Sequence, residues 1–162
     1  MIGAATFQLP DAAWRLCITE DVLRLLWSHA QRGLFSRESV GQLYARELTG
    51  DEVVVARATR LTPAWSSWAR VRFDVGQAMR ERQKLFHAGW HCVGFWHTHP
   101  EANPRPSTED RAMAQEHARA AMAETNGLVF AILGTQELPA GLRVWLHDGA
   151  DLVPMALSGP VS

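Results

Sequence analysis

The chain has 162 residues, 47% of them apolar and 20% charged, with a formal net charge of −1. That is ordinary globular material, long enough to bury a substantial core, and it reads as one domain over residues 1–162. Acids and bases are interspersed, which excludes the basic face of a nucleic-acid binder and the cationic patch of an anionic-membrane binder; neither partner is expected. Residues 1–10 lack the basic and long apolar stretches of a secretory signal, and no apolar run approaches the roughly 20 residues of a spanning helix. Cys17 and Cys92 are isolated in apolar surroundings and read as buried free thiols rather than a disulfide. A cytoplasmic location is therefore expected.

In chain order, residues 12–18 read as a first strand. Thr19 then suits a helix N-cap, with Glu20 and Asp21 at the positive helix start. Val22, Leu25, Leu26 and His29 or Ala30 form a helical stripe, and Gly33 is a plausible stop. Residues 39–48 and 52–58 read as a hairpin around Thr49-Gly50-Asp51. Residues 61–69, with Pro63 and two tryptophans, read as a loop, and residues 70–73 as a short strand. A helix over 75–87 ends near Gly89. An apolar strand over 90–97 follows, then a proline-rich loop at 103–106 and a long alanine-rich helix over 107–125. Residues 128–134, 142–147 and 152–157 read as closing strands separated by Gly and Pro. The inventory predicts an α/β fold: a mixed, largely antiparallel sheet flanked by three helices.

The chemistry is concentrated in Gly94-Phe95-Trp96-His97-Thr98-His99-Pro100 and in Ser107-Thr108-Glu109-Asp110. Alternate residues of a strand share a face, so His97 and His99 point the same way. Two imidazoles packed together are unfavourable unless a cation, a proton or solvent separates them. Pro100 suits a strand end, which places the pair at a mouth of the sheet. Ser107 with an acid three residues on is the pattern of a capping box at a helix start. Asp110 at such a start can also return to the histidines. Two neutral imidazoles and one carboxylate form the ligand set of a catalytic zinc site, with the fourth position left to water. Hydrolysis then needs a carboxylate to accept and return a proton. Glu38 is the candidate, and Glu47, Glu52 and Glu101 are its rivals by position. His29, His87, His91, His117 and His147 read as structural or exposed.

These residues together resemble the JAMM (MPN+) metalloprotease family. Its pattern is an upstream Glu, then His-x-His-Pro, six residues, and Ser-x-x-Asp. Here the pattern is met by Glu38, by His97-Thr98-His99-Pro100, and by Ser107-Thr108-Glu109-Asp110. Glu38-Ser39-Val40-Gly41-Gln42-Leu43 also resembles the family's Glu-x-x-Gly-x-Leu segment. The resemblance covers most of the chain and implies an MPN-like, cytidine-deaminase-like architecture with one zinc ion per chain. It implies that His97, His99 and Asp110 hold that ion. Glu38 would be general base and then general acid, and Ser107 would donate a hydrogen bond to the developing oxyanion. The implied reaction is hydrolysis of a peptide or isopeptide bond after the C-terminal Gly-Gly tail of a ubiquitin-like or sulfur-carrier protein. The resemblance also implies, as an expected partner, an activating or conjugating enzyme system. Trp65 and Trp68 are candidates to flank the groove for that tail.

Three other classes compete. A RadC-like, DNA-repair-associated protein shares the histidine and Ser-x-x-Asp pattern, but the chain has no basic patch, and Glu101-Ala102 replaces the Ser-Gly usual there. A non-catalytic binding module with structural zinc normally closes the ion with four protein ligands, and three are evident. A zinc nucleobase deaminase needs a Pro-Cys-x-x-Cys that is lacking.

Overall fold

The computed structural model describes residues 2–33, 36–65, 71–121 and 124–158, and of residues 65, 71 and 72 the backbone only. In chain order the elements are β1 (Ala5–Gln8), β2 (Arg15–Ile18), α1 (Glu20–Ser28), β3 (Val40–Ala45), β4 (Glu52–Ala58), β5 (Pro63–Trp65) and β6 (Val71–Phe73). They continue with α2 (Val75–His87), β7 (His91–Thr98), α3 (Thr108–Ala121), β8 (Leu128–Leu133), β9 (Leu142–His147) and β10 (Leu152–Leu157).

Eight strands join in the order β1-β10-β9-β8-β7-β3-β4-β2 and close into a barrel, while β5 and β6 form a separate two-stranded piece. The pairings β2–β4 and β7–β8 are parallel, and the other pairings in the barrel are antiparallel. The expected mixed, largely antiparallel sheet with three helices is what the chain forms. Closure was not foreseen. It depends on β1, a four-residue strand that the sequence reading passed over and that bridges β2 to β10. The strand expected over 12–18 begins only at Arg15, because Asp11 takes a left-handed φ of 63° and turns the chain between β1 and β2.

Other boundaries moved for local reasons. Thr19 does occupy the N-cap of α1, but its side chain makes no capping hydrogen bond and its hydroxyl is buried without a partner. That helix stops at Ser28, short of Gly33, where the His29 and Ala30 amides tighten the last turn onto Leu26 and Trp27. The expected loop over 61–69 contains β5, whose residues pair with β6 from Pro63↔Phe73 to Trp65↔Val71. Helix α2 has the expected bounds, with the Asp74 side chain accepting from the Gln77 amide at its start. Trp68 and the side chain of Trp65 lie outside the described residues. Among the described residues no helix is long and apolar enough to cross a membrane.

Two apolar clusters share the sheet. Val22, Leu23 and Leu26 of α1 pack with Leu16, Ile18, Val55, Val129, Ala131 and Val144 on one face. Ala78 of α2 and Ala114 and Ala118 of α3 pack with Phe95, Leu128 and Phe130 on the other. Strand β8 (LVFAIL) is therefore buried on both sides, which explains its unbroken apolar run.

A bulge in β7 decides which face carries the chemistry. Leu43 lies level with Gly94 and Tyr44 with Cys92, so Val93 is the extra residue. An extra residue reverses the alternation beyond it. Val93 belongs to the α1 cluster and Phe95 to the α2/α3 cluster. His97, in step with Phe95, follows it toward the N-terminus of α3.

Candidate metal centre

The end of β7 is a well-paired place for two histidines. His97 lies level with Val40 of β3 and with Ile132 of β8. The His99 amide donates to the Leu133 carbonyl at 2.9 Å. Both residues are buried, at 7% and 9% exposure. Their Nε2 atoms face each other at 3.1 Å. Pro100 then leaves the sheet, and a loop carries the chain to α3. That loop is held against Gly134, where a Cβ would stand 2.3 Å from the Glu101 carbonyl oxygen and 2.7 Å from Pro104 Cδ. Its path is fixed further by the Thr135 amide, which donates to the Glu101 carbonyl at 2.9 Å.

Ser107 and Asp110 form the reciprocal cap expected of their spacing. The Asp110 amide donates to Ser107 Oγ at 3.0 Å, and the Ser107 amide donates to Asp110 Oδ2 at 2.8 Å. The cap aims the carboxylate. Asp110 Oδ1 lies 3.4 Å from His97 Nε2, and Oδ2 lies 3.3 Å from His99 Nε2. Capping and assembly of the cluster are therefore performed by one side chain. Ser107 Oγ uses a lone pair for the Asp110 amide, so its hydroxyl proton remains available to donate.

The ligand atoms of His97, His99 and Asp110 all lie within 4.8 Å of one another. Burial works against ionising Asp110, but hydrogen bonds from both histidines, the charge of His97 and the Ser107 amide outweigh it and hold the carboxyl far below its usual range. Burial also disfavours a charged His99. The hydrogen bond and charge of Asp110, with the charges of Glu38 and Glu101, overcome that and raise its pKa. The site is thus built to favour positive charge at its centre. The two Nε2 atoms are 3.1 Å apart, near the roughly 3.3 Å that a tetrahedral ion bound at about 2.0–2.1 Å sets between its ligand atoms, and each faces a different oxygen of Asp110. Among the described residues these two imidazoles and one carboxylate could hold a metal ion and leave a coordination position open. One shortfall is His99 Nδ1, which is buried without a hydrogen-bond partner.

A scan of family models matches residues 19–147 to the prokaryotic homologs of the JAB domain. The chain belongs to this family. As a JAB-domain protein it carries the family's fold on the pattern of residues that the sequence suggested, and its three-residue cluster suits the metal that such a site implies. The chain is also similar to the solution structure of a protein from Desulfitobacterium hafniense, at 23% identity with a TM-score of 0.61 over 85% of this chain and 87% of that one. That likeness shows the fold. A second solution structure, of a protein from Salinibacter ruber (strain DSM 13855), is 21% identical over 84% of this chain and 89% of that one, with a TM-score of 0.44. None of the curated proteins matches the chain.

The remaining predicted residues sort by register. Glu38 is half-buried and lies two residues before Val40, at the end of β3 that pairs with His97. Its charge acts on His99, as does that of the exposed Glu101. Glu52 starts β4 beside Arg15, 3.6 Å away, and Glu47 follows β3 at the end that pairs with His91. Both are at the opposite end of the strands from His97. Among the four acids weighed from sequence, geometry therefore leaves Glu38 and Glu101. Sequence reasoning passed over Thr98 and Gly134. The first looked like a spacer between ligands and the second like punctuation. A groove of about 770 Å³ between α2 and α3, lined by Met79, Phe86, Cys92 and His117, belongs to the other end of β7 and is separate from this centre.

Proposed function

We propose that this JAB-domain chain is a cytoplasmic zinc-dependent peptidase or isopeptidase with one zinc per chain. Its reaction is cleavage after the C-terminal Gly-Gly tail of a ubiquitin-like or sulfur-carrier protein, in company with an activating or conjugating enzyme. The observation that supports the reading is the convergence of His97, His99 and Asp110, whose ligand atoms lie within 4.8 Å of one another and which among the described residues make three ligands rather than four. In this reading those three residues hold the ion, which when bound supplies electrophilic polarisation of the scissile carbonyl and a more acidic water. Glu38, just before the end of β3 that pairs with His97, takes a proton from the attacking water and returns it to the departing nitrogen. The Ser107 hydroxyl donates to the oxygen on which charge develops. Asp110 is kept ionised by its two histidines and oriented by the Ser107 amide.

The test uses carrier proteins extended beyond a Gly-Gly terminus, with zinc content measured in parallel. Glu38→Gln should retain zinc and lose turnover, whereas Ser107→Ala should lower kcat by about 10²–10³-fold. If Glu38→Gln keeps most of the wild-type rate, Glu38 is not the base and Glu101 takes its place in the same assay. Metal-dependent cleavage of DNA with no cleavage of any such carrier would favour the RadC-like reading. Zinc binding with neither activity would favour the non-catalytic module.

A further inference from the structure

Strands β3 and β7 run antiparallel with Val40 level with His97, so the next pair outward is Ser39 with Thr98. The observed bonds show that this pair exchanges two hydrogen bonds, and a regular ladder would make both through backbone carbonyls. One is regular, from the Thr98 amide to the Ser39 carbonyl at 3.0 Å. The other is not. The Ser39 amide donates at 2.8 Å to the Thr98 hydroxyl instead of the Thr98 carbonyl. Thr98 is fully buried and Ser39 is 4% exposed, so water has little access to replace that acceptor.

The diversion occurs one residue after Glu38 and one residue before His99. Beyond it the His99 amide bonds to Leu133 on the opposite neighbour. The β3–β7 ladder thus ends at the level where the proposed base faces the proposed metal ligands. Glu38 is joined through its carbonyl directly to the diverted Ser39 amide, and it is not part of the cluster whose ligand atoms lie within 4.8 Å of one another. A base outside that cluster would act through an intervening water.

We infer that Thr98 is a positioning residue: its hydroxyl draws the Ser39 amide out of the ladder and so sets the separation of Glu38 from the metal centre. The inference rests on the proposed hydrolytic reading. Thr98 itself points away from His97 and His99 by strand alternation and touches no reacting group. Valine fills the same space without an acceptor. With Thr98→Val, the Ser39 amide either loses its partner or moves to the backbone carbonyl of the same residue, and Glu38 moves with it. Serine keeps the acceptor.

The experiment compares wild type, Thr98→Val and Thr98→Ser, each alone and with Glu38→Gln. Three quantities are read: amide exchange at Ser39 by NMR, zinc affinity by chelator competition, and kcat and KM on a Gly-Gly-tailed carrier. Thr98→Val should change Ser39 exchange by about tenfold or more and lower kcat about 10–100-fold with KM and zinc retained, in the range of outer-shell substitutions. Thr98→Ser should restore kcat, and Thr98→Val should cost nothing further in the Glu38→Gln background. Unchanged kcat in Thr98→Val overturns the inference, as does failure of serine to rescue or loss of zinc in step with kcat. If the wild type cleaves no such carrier, the proposed function fails separately. Ser39 exchange then decides: an unchanged rate in Thr98→Val, or no return toward the wild-type rate in Thr98→Ser, overturns the inference.

Discussion

Gly94 stands in β7 three residues before His97, level with Val129 of β8 and Leu43 of β3. A Cβ there would lie 1.8 Å from the Val129 carbonyl oxygen, 2.6 Å from its carbonyl carbon and 2.9 Å from its Cα. Non-bonded carbons settle at about 3.5–4.0 Å, so in Gly94→Ala the strands must part by roughly 1.5 Å. That is about a third of the 4.7–4.9 Å between neighbouring strands. Overpacking typically costs about 1–3 kcal/mol when side chains can give way. Here the obstacle is backbone held in a parallel ladder, so about 3 kcal/mol is expected. For a chain of this size that lowers Tm by roughly 6–12 °C. Urea unfolding of the zinc-free protein measures it, with Gly3→Ala as control because nothing lies within 4 Å of a Cβ there. The same shift moves His97 and His99 relative to Asp110, so zinc affinity should fall as well. A Gly94→Ala protein within about 0.5 kcal/mol of wild type, the usual range of neutral surface changes, would refute the argument. The close approach to Val129 would then not be a constraint on β7.

Removing any ligand should remove the ion: His97→Ala, His99→Ala and Asp110→Asn are expected to abolish zinc binding at a ratio of about one per chain, measured by elemental analysis after dialysis. Zinc at 100 times its Kd should stabilise the wild type by about 2.7 kcal/mol against unfolding and leave those variants unmoved. Stoichiometric zinc in Asp110→Asn would sink the three-ligand assignment. His117 gives a pH test. Burial first, and then Arg82, depress its pKa below the ordinary 6.5, while Glu116 opposes the shift. Its ring stacks on Phe73 at 5.3 Å and lies tilted against Phe95 at 4.7 Å between centroids. A depressed histidine is neutral in the fold and takes a proton more readily when unfolded. Its contribution is therefore full above about pH 6.5 and is lost as pH falls below that, at up to about 1.4 kcal/mol per pH unit. His117→Phe should make the acid limb of stability shallower in zinc-free protein, although His29, also depressed by burial and Arg60, keeps part of it. Parallel limbs for variant and wild type would count against this account.

Local patterns were legible because their causes are local. Helix α2 formed over the 75–87 read from the sequence ahead of Gly89, and β4, β9 and β10 could be read from short apolar runs between turn residues. The spacing of His97, His99, Ser107 and Asp110 announced a shared face and a helix cap, and both formed. What could not be read was set by partners far along the chain. Strand β1 has only four residues and is a strand because β2 and β10 flank it, which closes the barrel. The single extra residue at Val93 sends Phe95 and His97 toward α2 and α3, and it exists only relative to the register of β3. Glu38 could be told from Glu47 and Glu52 only by which end of β3 meets His97. The bond that fixes that end joins residues 59 apart. Sequence determined which chemical groups were available and how neighbours within a turn or a strand would point. Pairing between distant segments decided which of them meet, because strand register and sheet closure depend on contacts that no local stretch contains.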